Sequence, residues 1–256
     1  MTRPEIEAKR LLDSLGWEKP GDLSLNQIGI SLNAMIRDVE MKGSQGRILM
    51  KENYSVISVN SDISYNPKRN FVIAHEIGHL SLHKKIMPLF SDNKRTLNEW
   101  YSKGKHEEEA NQFASELLMP TELFIRESNA KNKSFSFELI RELCDFFGAS
   151  QTATLLKYCR IGNTPVSIVF SNKGVISWKV ESKDFPLKFL KIGSKVQEGT
   201  SAYDFYQYGE IEQDPVEVAP MDWFPEDFQV EDFEDVDLME QSIRIGEESL
   251  LTCLWF

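Results

Sequence analysis

The segment His75-Glu76-Ile77-Gly78-His79 constrains this chain more than any other feature of its sequence. On a helix, residues four positions apart lie one turn apart on the same face, so both imidazoles can reach a single ion. Glu76 lies about 100° round the helix from His75, where its carboxylate reaches a water molecule rather than the ion. The pattern therefore predicts a zinc site with His75 and His79 as ligands and Glu76 as general base of a hydrolytic reaction.

Chance is a poor explanation for this motif. The chain has only four histidines in 256 residues, and about 0.01 matches to H-E-x-x-H are expected at that composition. The motif also falls where a helix is predicted independently. Asn66-Pro67 is typical of a helix start, and the helix should continue to about Ile86, before Pro88.

A catalytic zinc usually takes a third ligand from the protein. The metzincin pattern would require glycine and histidine at the positions of Leu82 and Lys85, so that class is excluded. The remaining source is a glutamate from the following helix, predicted from about His106 to Leu118 and ended by Pro120. In its acidic start, Glu109 flanks the apolar side of the helix, whereas a role at the positive end of the helix dipole is favoured for Glu107 and Glu108.

Composition bounds the class of protein. Apolar residues make up 41% and charged residues 27%, as in globular proteins. No run is long and apolar enough for a membrane span, and the first residues lack the apolar core of a secretion signal. Three scattered cysteines argue against a disulfide framework, so a cytoplasmic location is expected. A net charge of −11 disfavours direct DNA binding.

The periodicity of apolar residues predicts an α+β fold. Helical patterns dominate up to about residue 162, apart from a predicted hairpin formed by Arg47–Met50 and Tyr54–Val59. The segment 134–162 has the spacing of a helix-turn-helix. After Pro165 the pattern becomes strand-like, with hairpins predicted around Gly174 and Gly246. We therefore expect three parts: a metal-binding domain over residues 1–130, a helix-turn-helix-like segment over 131–163 and a C-terminal α/β domain over 164–256.

Two separated blocks resemble one known family. The first is His-Glu-Ile-Gly-His-Leu-Ser-Leu-His at 75–83, preceded by Arg69–Ala74, and the second is Glu-Ala-Asn-Gln-Phe-Ala-Ser-Glu-Leu-Leu-Met-Pro at 109–120. Together, in this order and spacing, they resemble the ImmA/IrrE family of metallo-endopeptidases. The resemblance covers roughly residues 45–120. It implies a zincin-like domain, and some members also carry a helix-turn-helix-like middle and a GAF-like sensor domain.

The resemblance implies metal ligands His75, His79 and Glu109, with Glu76 as general base; Glu107 is the reserve for the third ligand. The metal is expected to be zinc, although two histidines and a carboxylate also hold manganese. The implied substrate is a helix-turn-helix repressor of a stress response or a mobile element. Two alternatives differ in class: a metal-containing binding module that sequesters a regulator or acts like an antitoxin without cleaving it, and a DNA-binding regulator. The sequence leaves the role of His83 open.

Overall fold

The computed structural model describes residues 1–84, 89–93, 104–130 and 135–256. The chain divides into two compact units. Unit 1 comprises Met1–Ala130 and Arg141–Ala153, and unit 2 comprises Lys131–Ile140 and Thr154–Phe256. Helices and sheets occur in both, so the α+β prediction is confirmed. Among the described residues, no helix is both long enough and apolar enough to cross a membrane.

Unit 1 combines helices with a four-stranded sheet. Its elements are α1 (Arg3–Ser14), α2 (Leu25–Ser31), β1 (Ala34–Val39), β2 (Ser44–Met50), β3 (Ser55–Asn60), α3 (Asn66–His83), β4 (Leu89–Asn93), α4 (Lys105–Leu118) and α5 (Thr121–Asn129). The strand order is β1-β3-β2-β4. β3 pairs with β1 in parallel and with β2 in antiparallel register, which confirms the predicted hairpin.

The position of β3 in the sheet determines whether a peptide substrate could bind along its edge. An exposed edge at Tyr54–Asn60 would allow a peptide to be bound by strand addition. β3 instead lies between two strands that use both of its edges. A peptide therefore cannot add to β3.

Helix α3 forms the centre of unit 1. It follows the extended Tyr65 and has proline in its first turn, as predicted. Every residue from Val72 to Leu80 is buried, which is typical of a helix surrounded by protein. Its apolar residues pack against the sheet and against α4, together with Ile48, Ile57 and Phe113, each of them fully buried. Complete burial of such a side chain contributes about 1.5–3 kcal/mol, so the helix is held firmly.

Unit 2 contains a five-stranded antiparallel sheet with strand order β6-β5-β9-β8-β7. The elements that follow α5 along the chain are α6 (Phe137–Phe147), α7 (Gln151–Ile161), β5 (Val166–Asn172), β6 (Val175–Glu181), α8 (Ser201–Tyr208), β7 (Val216–Val218), α9 (Pro220–Trp223), a 3₁₀ turn (Val230–Phe233), β8 (Leu238–Gly246) and β9 (Ser249–Trp255). Because unit 1 includes Arg141–Ala153, α6 and α7 contribute residues to both units. β5 pairs with β6 and β8 with β9, so both predicted C-terminal hairpins are confirmed. The division at residue 163 stays a prediction.

A buried carboxylate organises the helical side of unit 2. Glu240, on β8, accepts hydrogen bonds from the backbone N–H groups of Ser201 and Ala202 and from Nε1 of Trp223. The two backbone donors belong to the first turn of α8, whose N–H groups have no partner within the helix. Burial raises the pKa of the Glu240 carboxyl. Its three hydrogen bonds offset that cost and fix α8 on the sheet.

Candidate metal centre

The two motif histidines face each other on α3. The Nε2 atoms of His75 and His79 lie 2.9 Å apart, and their ring centroids are 4.6 Å apart at an interplanar angle of 81°. Both side chains are 1% exposed. Burial of a polar ring is unfavourable unless its nitrogens have partners. The groups that surround these two Nε2 atoms therefore indicate which ligand the site can bind.

A carboxylate from α4 completes the group. Oε2 of Glu107 lies 3.2 Å from Nε2 of His75, and Oε1 lies 3.4 Å from Nε2 of His79. Ligand atoms of these three residues all lie within 4.8 Å of one another, the arrangement required to hold one metal ion. Two imidazoles and one carboxylate are a common ligand set of catalytic zinc.

One buried atom tests whether a cation fits. Oε2 of Glu107 is buried and, within the described part of the chain, accepts no hydrogen bond, although Nε2 of His75 is near. A buried carboxylate oxygen without a donor is unfavourable in an apoprotein. A divalent cation between the three side chains removes that cost, so the residues present fit a metal.

Glu109, which the resemblance implies as third ligand, lies elsewhere. Its Oε2 is 2.9 Å from Nε2 of His83. Glu107 and Glu109 are two positions apart, so they project about 160° apart on α4, on opposite flanks of its buried side. They cannot both reach the motif histidines, and the structure places the reserve residue Glu107 there. The ligand set that the structure brings together is therefore His75, His79 and Glu107, with Glu107 in place of the expected Glu109.

Asn111 is a site residue that the sequence analysis did not identify. Its Oδ1 lies 2.9 Å from Nδ1 of His75. One turn of α4 separates Asn111 from Glu107, so both reach the same histidine. An available signal was the side-chain amide on the buried side of the helix, next to Ala110 and one turn after Glu107.

Gly78, inside the motif, allows α3 and α4 to approach. A Cβ atom at this position would lie 3.1 Å from the backbone oxygen of Ala110 and 3.3 Å from Cβ of Phe113. Both contacts are tighter than ordinary van der Waals contact. The absence of a side chain at residue 78 therefore helps to bring Glu107 to the histidines.

Glu76 is buried on the sheet side of α3. A Cβ atom on Gly46 of β2 would lie 2.8 Å from Oε1 of Glu76 and 2.5 Å from Cγ1 of Val72. Only glycine fits at residue 46 while Glu76 keeps this position. The strand therefore determines where the predicted general base lies, which the sequence analysis did not anticipate.

The electrostatics favour neutral imidazole and ionised carboxylate near pH 7. Burial lowers the pKa of His79 to about 4. Burial also opposes ionisation of Glu107, but its contacts with His75 and His79 outweigh burial and leave the pKa of that carboxyl well below its ordinary value. The hydrogen bond from His83 lowers the pKa of Glu109. A neutral imidazole at His79 and an ionised carboxylate at Glu107 are the protonation states that metal ligands need.

Three further features of the sequence bear on function: His106, Lys157 and the aromatic pair Trp100-Tyr101. The ring of His106 packs edge-on against His83, with centroids 4.7 Å apart. In the helix-turn-helix-like segment, Lys157 is buried and so does not offer its charge to a nucleic acid. The segment Trp100-Tyr101, a candidate cover for the site, lies outside the described residues.

The part of the chain that contains this site is similar to known proteins. The family model of the IrrE N-terminal-like domain matches residues 31–157, which contain every site residue named above. A protein of Bacillus phage phi105, named uncharacterized immunity region protein 2, is 39% identical over 82 residues, or 32% of this chain and 47% of that protein. The chain thus matches about half the length of that relative.

A solved structure shares the fold. A Mycobacterium tuberculosis transcriptional regulator superposes with a TM-score of 0.58 at 14% identity, covering 98% of this chain and 74% of the other. At that identity the similarity concerns the fold alone.

Proposed function

Because the chain belongs to the ImmA/IrrE family through its IrrE N-terminal-like domain, we propose that it is a metal-dependent endopeptidase. The observation that carries the proposal is the convergence of His75, His79 and Glu107, with the buried Glu76 on the same helix. The metal proposed is zinc, and the same donors also suit manganese.

In this proposal His75, His79 and Glu107 hold the ion. When bound by these residues, a metal would supply Lewis-acid chemistry for activating water and polarising a peptide carbonyl. Glu76 takes the proton of the attacking water and then donates it to the leaving nitrogen. Asn111 orients the His75 ring by accepting from its Nδ1, which directs Nε2 toward the ion.

The substrate proposed is a helix-turn-helix repressor that controls a stress response or a mobile element. The ImmA/IrrE resemblance supports this choice, as does the similarity to a protein from a phage immunity region. The net charge of −11 favours a protein substrate over direct contact with DNA. Such a substrate would be met in the cytoplasm.

Three finer parts of the organisation belong to the same proposal. The proposed roles are a zincin-like domain for residues 1–130, a helix-turn-helix-like segment for 131–163 and a GAF-like sensor for 164–256, although the compact unit that holds this last part also includes residues before 163. Support for the first comes from the family match. For the last, the five-stranded antiparallel sheet of unit 2 is compatible with a sensor domain.

The test compares two matched variants. Glu76→Gln removes the general base, whereas Glu108→Gln makes the same chemical change at an exposed position of α4. Each protein is produced in its host, and new protein N-termini are identified by mass spectrometry. We expect Glu108→Gln to cleave like the unaltered protein, and Glu76→Gln to lose roughly 10²–10⁴-fold in rate while keeping its metal.

Undiminished cleavage by Glu76→Gln would rule out this mechanism. Capture of a repressor that the unaltered, metal-loaded protein never cuts would instead support the non-cleaving binding module.

A further inference from the structure

A second line of contacts runs behind His79, on the side opposite Glu107. Nδ1 of His79 lies 3.1 Å from Nδ1 of His83, and Nε2 of His83 lies 2.9 Å from Oε2 of Glu109. His83 is 1% exposed, and Glu109 lies at the edge of the site with a side chain 17% exposed. The three residues form a continuous chain that ends at one nitrogen of a metal-site histidine.

The chemistry of the end group gives this chain a direction. An ionised carboxylate only accepts hydrogen bonds, so Nε2 of His83 donates to Glu109. A neutral imidazole carries a single N–H, which leaves Nδ1 of His83 as an acceptor. Nδ1 of His79 must then be the donor. Nε2 of His79 consequently keeps its lone pair, and this atom faces His75 and Glu107.

The other motif histidine is oriented differently. Nδ1 of His75 lies against an amide oxygen, that of Asn111, with no second imidazole between them. An amide oxygen selects the tautomer by itself, because it can only accept. The His83 imidazole can either donate or accept at Nδ1. It therefore selects a tautomer of His79 only when Glu109 holds the proton of His83 on Nε2.

We propose, on the basis of the metal site proposed above, that Glu109 and His83 are positioning residues that fix the tautomer and ring orientation of His79 for metal binding. Neither residue touches the ion or the substrate. The chemical principle is that of a carboxylate acting through a hydrogen bond on a ligand imidazole, here extended by one further imidazole. The edge-on ring of His106 packs against His83 and keeps it in line.

A merely structural role is the competing explanation, because Glu109 and His83 also join α4 to α3. The two roles differ in what they change. A structural tie changes the stability of the metal-free protein, whereas a positioning chain changes metal affinity beyond any such effect. A positioning chain also acts as one unit, so removing its second member after its first should reduce zinc affinity little further.

The experiment measures zinc affinity of the full chain at one pH by competition with a chelator. The variants are Glu109→Ala, His83→Phe, the double variant and the exposed control Glu108→Ala, with Glu109→Gln as the conservative replacement that retains an acceptor oxygen. We expect the first two to bind zinc roughly 10–100-fold more weakly and the double variant no more weakly than His83→Phe. Glu108→Ala should match the unaltered protein, and Glu109→Gln should recover most of the loss.

Urea unfolding of each metal-free protein supplies the second readout. A loss of zinc affinity with little change in unfolding supports the positioning role. Unchanged affinity in Glu109→Ala, or additive losses in the double variant, would overturn it. If zinc binding is still lost on replacement of His75 or Glu107 in that case, the proposed metal site stands and only this inference fails. If the unaltered protein binds no zinc, the metal site and this inference both fail.

Discussion

At the scale of single residues, the site separates functions that lie close together in sequence. Glu107 and Glu109 differ by two positions, yet one faces the two motif histidines and the other faces His83. The spacing of His75 and His79 could be interpreted from sequence because one helical turn is local geometry. The choice between the two glutamates depends on how two distant helices cross, which no local pattern contains.

A pH-dependent stability follows from His79. Its pKa falls from the ordinary 6.5 to about 4 on folding, so between these values the unfolded metal-free chain binds more protons than the folded one. The free energy of unfolding should therefore drop as the pH falls, by about 2 kcal/mol from pH 7 to pH 5. Urea unfolding of the metal-free protein measures this change, and His79→Gln should show a smaller slope. A stability that stays constant over this range would contradict the burial of a neutral His79.

At the scale of elements, the sequence predicted the helices and strands that have a recognisable pattern in their own residues. Helix α3 has proline in its first turn, the two C-terminal hairpins have a glycine at or beside their turns, and apolar β-branched residues occur in the strands. The sequence analysis did not predict strand β4, because its second half, Ser91-Asp92-Asn93, consists of residues typical of loops. β4 exists by pairing with β2, a contact between distant parts of the chain. The short helix α5 was missed as well, since it follows directly after Pro120.

The crossing of α3 and α4 makes a prediction about Gly78. In Gly78→Ala the new methyl group meets the backbone of Ala110, so α4 must move by a few tenths of an ångström and carry Glu107 away from the histidines. We expect weaker zinc binding, measured by chelator competition, although alanine favours a helix by about 1 kcal/mol over glycine.

Ser81→Ala, on the exposed side of the same helix, is the matched control and should leave zinc affinity unchanged. Unaltered zinc affinity in Gly78→Ala, together with a gain in stability, would show that α4 does not need this close approach.

At the scale of the whole molecule, the two units do not follow the boundary that the change in sequence pattern suggests. Unit 2 takes residues on both sides of residue 163. Phe135 packs on Tyr158 and on Trp255, with ring centroids 5.3 and 4.8 Å apart, and Sγ of Cys159 donates to the backbone oxygen of Val166. The pattern change marks where strands begin, whereas unit 2 already includes the start of α6 and most of α7, from Thr154 onward.

Truncation after residue 163 should therefore damage what it leaves behind. The fragment 1–163 loses Trp255 and the strands that cover Phe135 and Tyr158, both buried in the full chain. We expect it to bind the dye ANS and to be less soluble than the full chain, since exposed aromatic surface of this kind promotes association. A monomeric fragment 1–163 that binds no dye would support a boundary at 163.

The central claim is that one metal ion is held by His75, His79 and Glu107, and elemental analysis after gel filtration from excess zinc tests it most directly. The unaltered protein should carry about one zinc per chain, and His75→Ala and Glu107→Ala should carry none. Glu109→Ala should still bind one zinc when the metal is saturating. Zinc retained in Glu107→Ala but lost in Glu109→Ala would contradict this account and restore Glu109 as the third ligand.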